Sequence, residues 1–262
     1  MTCALAGALL APLSAAQAQH QPAVEADHYA RCLDEAQRNP QAAFDSAEAW
    51  RDTGGGHPAE HCIAVALIGL KQYAEAAKRL EKLADEMFKA PLDLRTEVLS
   101  QAGQAWLLDG NAPRAAEMET LALQLTPDDP DLLTDRAEAL AAQTKYKEAI
   151  ADLDRALARD PARVDALIYR ASAQRSLNRL DPALRDVEAA LRLAPDEPDA
   201  LLERGNIRRL KGDDAGARKD WLRVALVAPN TAADTAAKDN LEKMDVKPDG
   251  AAPPPAAKKK KS

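Results

Sequence analysis

Pro127, Pro161, Pro195 and Pro229 stand 34 residues apart, a step that limits the possible folds more than any other feature of the chain. Ala115, Ala149, Ala183 and Ala217 keep the same step, as do Gly103, Ala137, Ala171 and Gly205. Ala122, Ala156, Ala190 and Ala225 form a further column whose last member is displaced by one. A fixed period of this length marks a chain of repeated supersecondary units. Small residues in register are places where two elements cross closely, and a proline ends a helix that it cannot continue. Composition points the same way. Hydrophobic residues reach 46% of the chain while aromatics make up only 3%, and alanine carries most of the surplus. Alanine loses no side-chain entropy in a helix, so the expected interior is one of backbone-close, stacked helices.

Each period reads as a pair of helices. Leu132, Leu133, Ala137, Leu140 and Ala141 recur at helical spacing and give a first helix its apolar face. Tyr146, Ala149, Ile150, Leu153 and Leu157 do the same for a second. Pro130 and Pro198 fall at a first helical turn, where the missing N–H costs nothing. One such pair cannot bury its own apolar face, so stability must come from stacked neighbours.

The period and its small-residue columns resemble the tetratricopeptide repeat. The resemblance implies an all-α chain, an α-solenoid of stacked antiparallel helix pairs wound as a right-handed superhelix. Units in register span residues 96–129, 130–163, 164–197 and 198–231. A degenerate unit covers 57–95, with Ala64, Tyr73, Ala76 and Leu80 in the matching places and a bulge expected at Lys89 to Leu94. Residues 19–56 read as an N-terminal cap pair, with helices at Asp27 to Arg38 and Gln41 to Thr53. Residues 232–245 read as a capping helix, whose few apolar contacts are Leu241 and Met244. Residues 246–262 hold no core residue and are expected to be a disordered tail.

Charge separates body from tail. The net charge is −7, which leaves no basic footprint for nucleic acid. The tail sets Lys247 and Lys258 to Lys261 against Asp249 alone, so an acidic body carries a basic tip. That tip is expected to solubilise the chain, with a weak contact to anionic envelope surfaces as its functional reading. Residues 1–18 read as a secretory signal, with an apolar run from Leu5 to Leu13 and Ala16-Gln17-Ala18 as an A-x-A cleavage site. The positively charged start that such signals carry is missing. The run is too short for a transmembrane helix, and the expected location is the periplasm.

No constellation carries an enzyme's signature. All four histidines, His20, His28, His57 and His61, precede the units in register, which therefore lack an imidazole base. Gly54 to Gly56 follows no predicted strand and reads as a loop rather than a phosphate cradle. Arg136, Arg170 and Arg204 are each followed sixteen residues later by Asp152, Asp186 and Asp220. Three copies at the repeat period are what a structural ion pair would show, tying helices together. Cys32 and Cys62 are the cysteines that remain after the expected cleavage, and an even pair in an oxidising compartment favours a disulfide. The alternative is a Cys₂His₂ metal site built from His28, Cys32, His61 and Cys62, with His57 four residues before His61. No other cofactor is implied.

The resemblance also implies a binding face. In the tetratricopeptide family the first helices line a concave groove. The matching positions are Gln101, Gln104, Asp135, Glu138, Tyr169, Ser172, Arg175, Glu203, Asn206 and Arg209. Aromatic and arginine side chains tend to dominate binding energy, which singles out Tyr169, Arg175 and Arg209. The expected partner is a protein or peptide. The lysine and asparagine pattern that clamps a chaperone's C-terminal carboxylate in some of these repeats is missing. Trp106 and Trp221 fall in columns expected to face neighbouring helices.

Overall fold

The computed structural model describes residues 15–245, so most of the expected signal, residues 1–14, and the expected basic tail, residues 246–262, lie outside them. Thirteen helices and no strand occur among the described residues. They are α1 (Ala15–Arg38), α2 (Pro40–Asp52), α3 (Gly56–Gly69), α4 (Tyr73–Glu86), α5 (Leu92–Leu108), α6 (Ala112–Leu125) and α7 (Pro130–Ala142). The series continues with α8 (Tyr146–Arg159), α9 (Val164–Ser176), α10 (Leu180–Leu193), α11 (Pro198–Leu210), α12 (Asp214–Val227) and α13 (Ala232–Asp245). Contacts divide the chain at Pro127 into two compact units, α1–α6 and α7–α13.

The proline column does what its chemistry requires. Helices α6, α8, α10 and α12 end at Leu125, Arg159, Leu193 and Val227, each two residues before its proline. Pro40, Pro130 and Pro198 open helices, where the side chains of Asn39 and Asp129 also accept the free amides of α2 and α7. Three boundaries differ from the expectation by more than one residue, and the largest difference is α1, which starts at Ala15, twelve residues ahead of Asp27. Helix α5 starts at Leu92, ahead of the unit boundary at Thr96, because Pro91 opens it and Asp93 lies in its first turn. The last helix starts at Ala232 instead of Thr235.

Within each pair the turn uses one device. Lys71, Gly110, Thr144, Asn178 and Gly212 follow α3, α5, α7, α9 and α11 with φ of 61, 81, 61, 56 and 83°. The next residue's amide then donates back to a carbonyl of the helix: Gln72 to Leu67, Asn111 to Trp106, Lys145 to Leu140, Arg179 to Gln174 and Asp213 to Arg208, at 2.8–2.9 Å. This left-handed closure satisfies carbonyls that the helix end would otherwise orphan. The last four positions keep the 34-residue step, and Lys71 precedes Gly110 by five residues more. One of them lies in the α4–α5 connection, residues 87–91, and the other four lengthen α5 to 17 residues against the 13 of α7, α9 and α11. Thr144 is the β-branched member, in a conformation such residues resist. Thr144→Gly should therefore raise stability by about 1 kcal/mol in urea unfolding. Asn178→Gly should change little, since asparagine already tolerates the left-handed region.

In the second unit one core runs through all seven helices. Leu153, Val187, Ile207, Trp221 and Val224 are buried in it beside the alanine columns, and Leu241 and Met244 of α13 pack against it. The Arg/Asp pairs hold both helices of a pair together. Arg136 donates twice to Asp152, at 2.8 and 2.7 Å. Arg170 does the same to Asp186, and Arg204 to Asp220. In the first unit α1–α3 share a small core of Ala36, Ala43 and Ala66. Trp106 is buried, and its indole N–H reaches Glu81, which also receives two bonds from Arg114.

Candidate functional site

The candidate groove residues fall on first helices, and the structure engages many of them from one first helix to the next. In the second unit the Tyr169 hydroxyl of α9 donates to Glu138 Oε2 of α7 at 3.2 Å. Arg175 Nε donates to Glu203 of α11 at 2.5 Å, and Glu203 is buried. Asn206 accepts from Asn240 of α13 at 2.9 Å. Asp135 and Ser172 are half-buried on the same helices. Arg209 is exposed and pairs at 2.5 Å with Asp214 across its own helix pair. Two of the arginines chosen as anchors are thus held by carboxylates, and Glu203 takes up Arg175 as a tie between α9 and α11.

Tyr169 differs. It is 36% exposed, so its ring keeps a free face although its hydroxyl is engaged. It borders a cavity of about 370 Å³ whose other walls are Val164, Asp165 and Ile168 of α9 and Glu197 and Asp199 at the start of α11. Burial, then the negative charge of Glu138, pushes the phenol far above its usual range. Burial likewise pushes the Glu138 carboxyl up, while the bond from Tyr169 opposes that.

In the first unit Gln101 belongs to a hydrogen-bond chain that periodicity did not reveal. Tyr29 of α1 meets His61 Nδ1 at 2.6 Å, and His61 Nε2 meets Gln101 Oε1 of α5 at 2.6 Å. Gln101 Nε2 donates on to Glu97 at 2.8 Å. A neutral imidazole protonated at Nε2 satisfies every link: Tyr29 donates to His61, His61 to Gln101, and Gln101 to Glu97. Gln104 is exposed one turn further on. The separations of 32 and 40 residues straddle the period, so no column contains this set. His61, Tyr29 and Glu97 line a second cavity of about 290 Å³, with Leu83, Met87 and Val98 among its apolar walls.

The same chain determines the fate of the suspected metal ligands. Both ring nitrogens of His61 face partners, His28 stacks on Trp50 with ring centroids 4.2 Å apart, and the sulfurs of Cys32 and Cys62 meet each other. Among the described residues no three His, Cys, Asp or Glu side chains converge as donors for a metal. The Cα atoms of Cys32 and Cys62 lie 6.2 Å apart, inside the range that a disulfide needs.

Burial also pushes the His61 imidazole below its ordinary pKa. A folded-state pKa below the unfolded one means the unfolded chain binds the proton first. Stability should then fall as pH drops below about 6.5, by at most about 1.4 kcal/mol per pH unit. Urea midpoints between pH 7 and 5 measure this slope, and His61→Gln should flatten it.

Residues 134–187 and 177–237 match a family model, the tetratricopeptide repeat. This stretch of the chain is similar to tetratricopeptide repeats. Solved structures extend the likeness to the fold of a larger part. A thermophilic TPR protein of Thermus thermophilus superposes with a TM-score of 0.59 at 18% identity, over 71% of this chain and 100% of that one. MamA from Desulfovibrio magneticus RS-1 gives 0.56 at 20% identity, over 71% and 97%. YrrB, described as a TPR protein with an unusual peptide-binding site, gives 0.52 at 18% identity, over 76% and 98%. No curated protein matches the sequence. The fold is accordingly all-α, with the helix pairs of a tetratricopeptide solenoid, and α7–α12 supply the pairs that the family model covers. No helix among the described residues is long and apolar enough to cross a membrane.

Proposed function

We propose that the chain is a non-catalytic scaffold of the cell envelope that holds a protein or peptide partner on the exposed face of its first helices. One observation carries this reading: Tyr169 stands half-exposed over a cavity on that face, whereas the two tryptophans of the repeats, Trp106 and Trp221, are buried. Large, rigid rings of this kind are common anchors at interfaces. In the second unit Asp135, Glu138, Ser172, Asn206 and Arg209 supply polar groups on its first helices, and in the first unit Gln101 and Gln104 do the same.

The envelope location rests on the A-x-A sequence at Ala16 to Ala18. A mature protein beginning at Gln19, measured by mass spectrometry after expression with the intact leader, is the expected result. The Cys32–Cys62 disulfide follows from that location. Oxidised protein should be two daltons lighter than its reduced form, and equal masses would remove the bond. The partner is found by in-cell photo-crosslinking with the crosslinking residue at position 169 and a control at Arg159, exposed on α8. One protein captured only from position 169 is the expected outcome. The same sparse background from both positions would deprive this face of its role.

A further inference from the structure

The cavity beside Tyr169 has walls of two kinds. Val164, Ile168 and the Tyr169 ring give it apolar sides, while Asp165, Glu197 and Asp199 set three carboxylates at its margin. Among the described residues no basic side chain lines it. Arg163, next in sequence to the lining residue Val164, donates to Asp131 and contacts Asp165 at 3.1 Å, so it offsets Asp165 and leaves Glu197 and Asp199 as the dominant charges. Two helix ends work in the other direction. The cavity lies at the N-termini of α9 and α11, each worth roughly half a positive charge. Three carboxylates outweigh one arginine and two half-charges by about one unit of negative charge. Glu138, bonded to the Tyr169 hydroxyl, lies on the same side of the balance.

A guest that satisfies both kinds of wall has an aliphatic stem and a cationic head. Lysine and arginine side chains have this form, with methylenes that lie along apolar surface and a charge that seeks solvent or carboxylate. An exposed tyrosine face also attracts a cation placed over it. We infer that this cavity is a pocket for a basic side chain, and that the protein or peptide held on this face of the second unit inserts a lysine or arginine between Tyr169 and the Glu197–Asp199 edge. The inference rests on the scaffold reading above and adds the chemistry of the partner.

The probes are fluorescein-labelled heptapeptides of alternating serine and alanine with lysine, norleucine or glutamate at the centre. Norleucine keeps the stem and removes the charge. They are titrated against the full chain while the methyl resonances of Val164 and Ile168 are followed by NMR. The lysine peptide should bind at least about tenfold more tightly than the norleucine peptide at low salt, and shift those methyls. Most of the difference should vanish at about 0.5 M salt, where the screening length is only a few ångströms. The double variant Glu197→Gln, Asp199→Asn, checked for unchanged helicity, should bring the two peptides level.

Equal binding of lysine and norleucine to the unaltered chain would overturn the inference. Tighter binding of the glutamate peptide would also overturn it, and would mean that the helix N-termini dominate. A partner captured from position 169 without any lysine preference would leave the scaffold standing and remove only the basic pocket. A lysine preference at these methyls with no captured partner would sustain the pocket and count against the scaffold.

Discussion

Replacing Asp220 by alanine should lower the stability of the second unit by about 3 to 5 kcal/mol. Its side chain is 3% exposed and accepts from two arginines, Arg204 at 2.9 and 2.7 Å and Arg208 at 2.7 Å. Removing the carboxylate leaves two guanidinium groups close together, half-buried and without their shared counter-ion. Desolvation then weighs against the fold with no Coulombic return. The exposed pair Arg218–Asp245 serves as control, because solvent screens it. Urea unfolding of Asp220→Ala and Asp245→Ala, followed by helical circular dichroism, makes the comparison. Equal and small losses would show that the Asp220 cluster is as solvated as a surface pair.

Gly205→Ala should also destabilise, by about 1 to 2 kcal/mol, although alanine is the better helix former by about 1 kcal/mol. Packing decides the sign. A methyl group built at Gly205 would meet the Trp221 ring, with Cδ1 at 2.6 Å and Cε2 at 3.0 Å. Trp221 is 2% exposed and has no room to yield. Overpacking of this kind costs about 1 to 3 kcal/mol, which exceeds the propensity gain. The column explains why glycine stands there. Sixteen residues after Gly103, Ala137, Ala171 and Gly205 come Glu119, Leu153, Val187 and Trp221. Glycine occupies the crossing where the later residue is glutamate or tryptophan, and a methyl at Gly103 would likewise press on Glu119. In a Trp221→Leu background, which copies the neighbouring Ala137/Leu153 arrangement, Gly205→Ala should become neutral or stabilising. A melting temperature that rises for Gly205→Ala alone would reject the account.

Much of the architecture was legible because a repeat writes each physical requirement several times. The prolines marked the ends of α6, α8, α10 and α12 to within two residues. The alanine columns marked buried crossings, except that in the last unit Val224 and not Ala225 is buried, and the arginine and aspartate columns marked pairs that form within a helix pair. The left-handed turn was written at the same step, but as Gly110, Thr144, Asn178 and Gly212. Because the requirement there lies in the backbone, side chains as different as threonine and glycine answer it, and residue identity concealed it.

What the amino-acid sequence by itself determined was therefore what recurs as residue identity: the helical class, the unit length, the crossings and the ion pairs. Each is a local demand repeated with fixed spacing, so its chemistry appears as a column. Only the tertiary structure decided what happens once. Tyr29, His61 and Gln101 meet from α1, α3 and α5 at separations that no period contains, and burial alone lowers the histidine's affinity for a proton. Arg175 reads as a free anchor until α11 brings the buried Glu203 to it. Tyr169 remains half-exposed beside a cavity lined by the starts of α9 and α11. Binding surfaces are set by how neighbouring helices are spaced, and that spacing is a property of the packed chain.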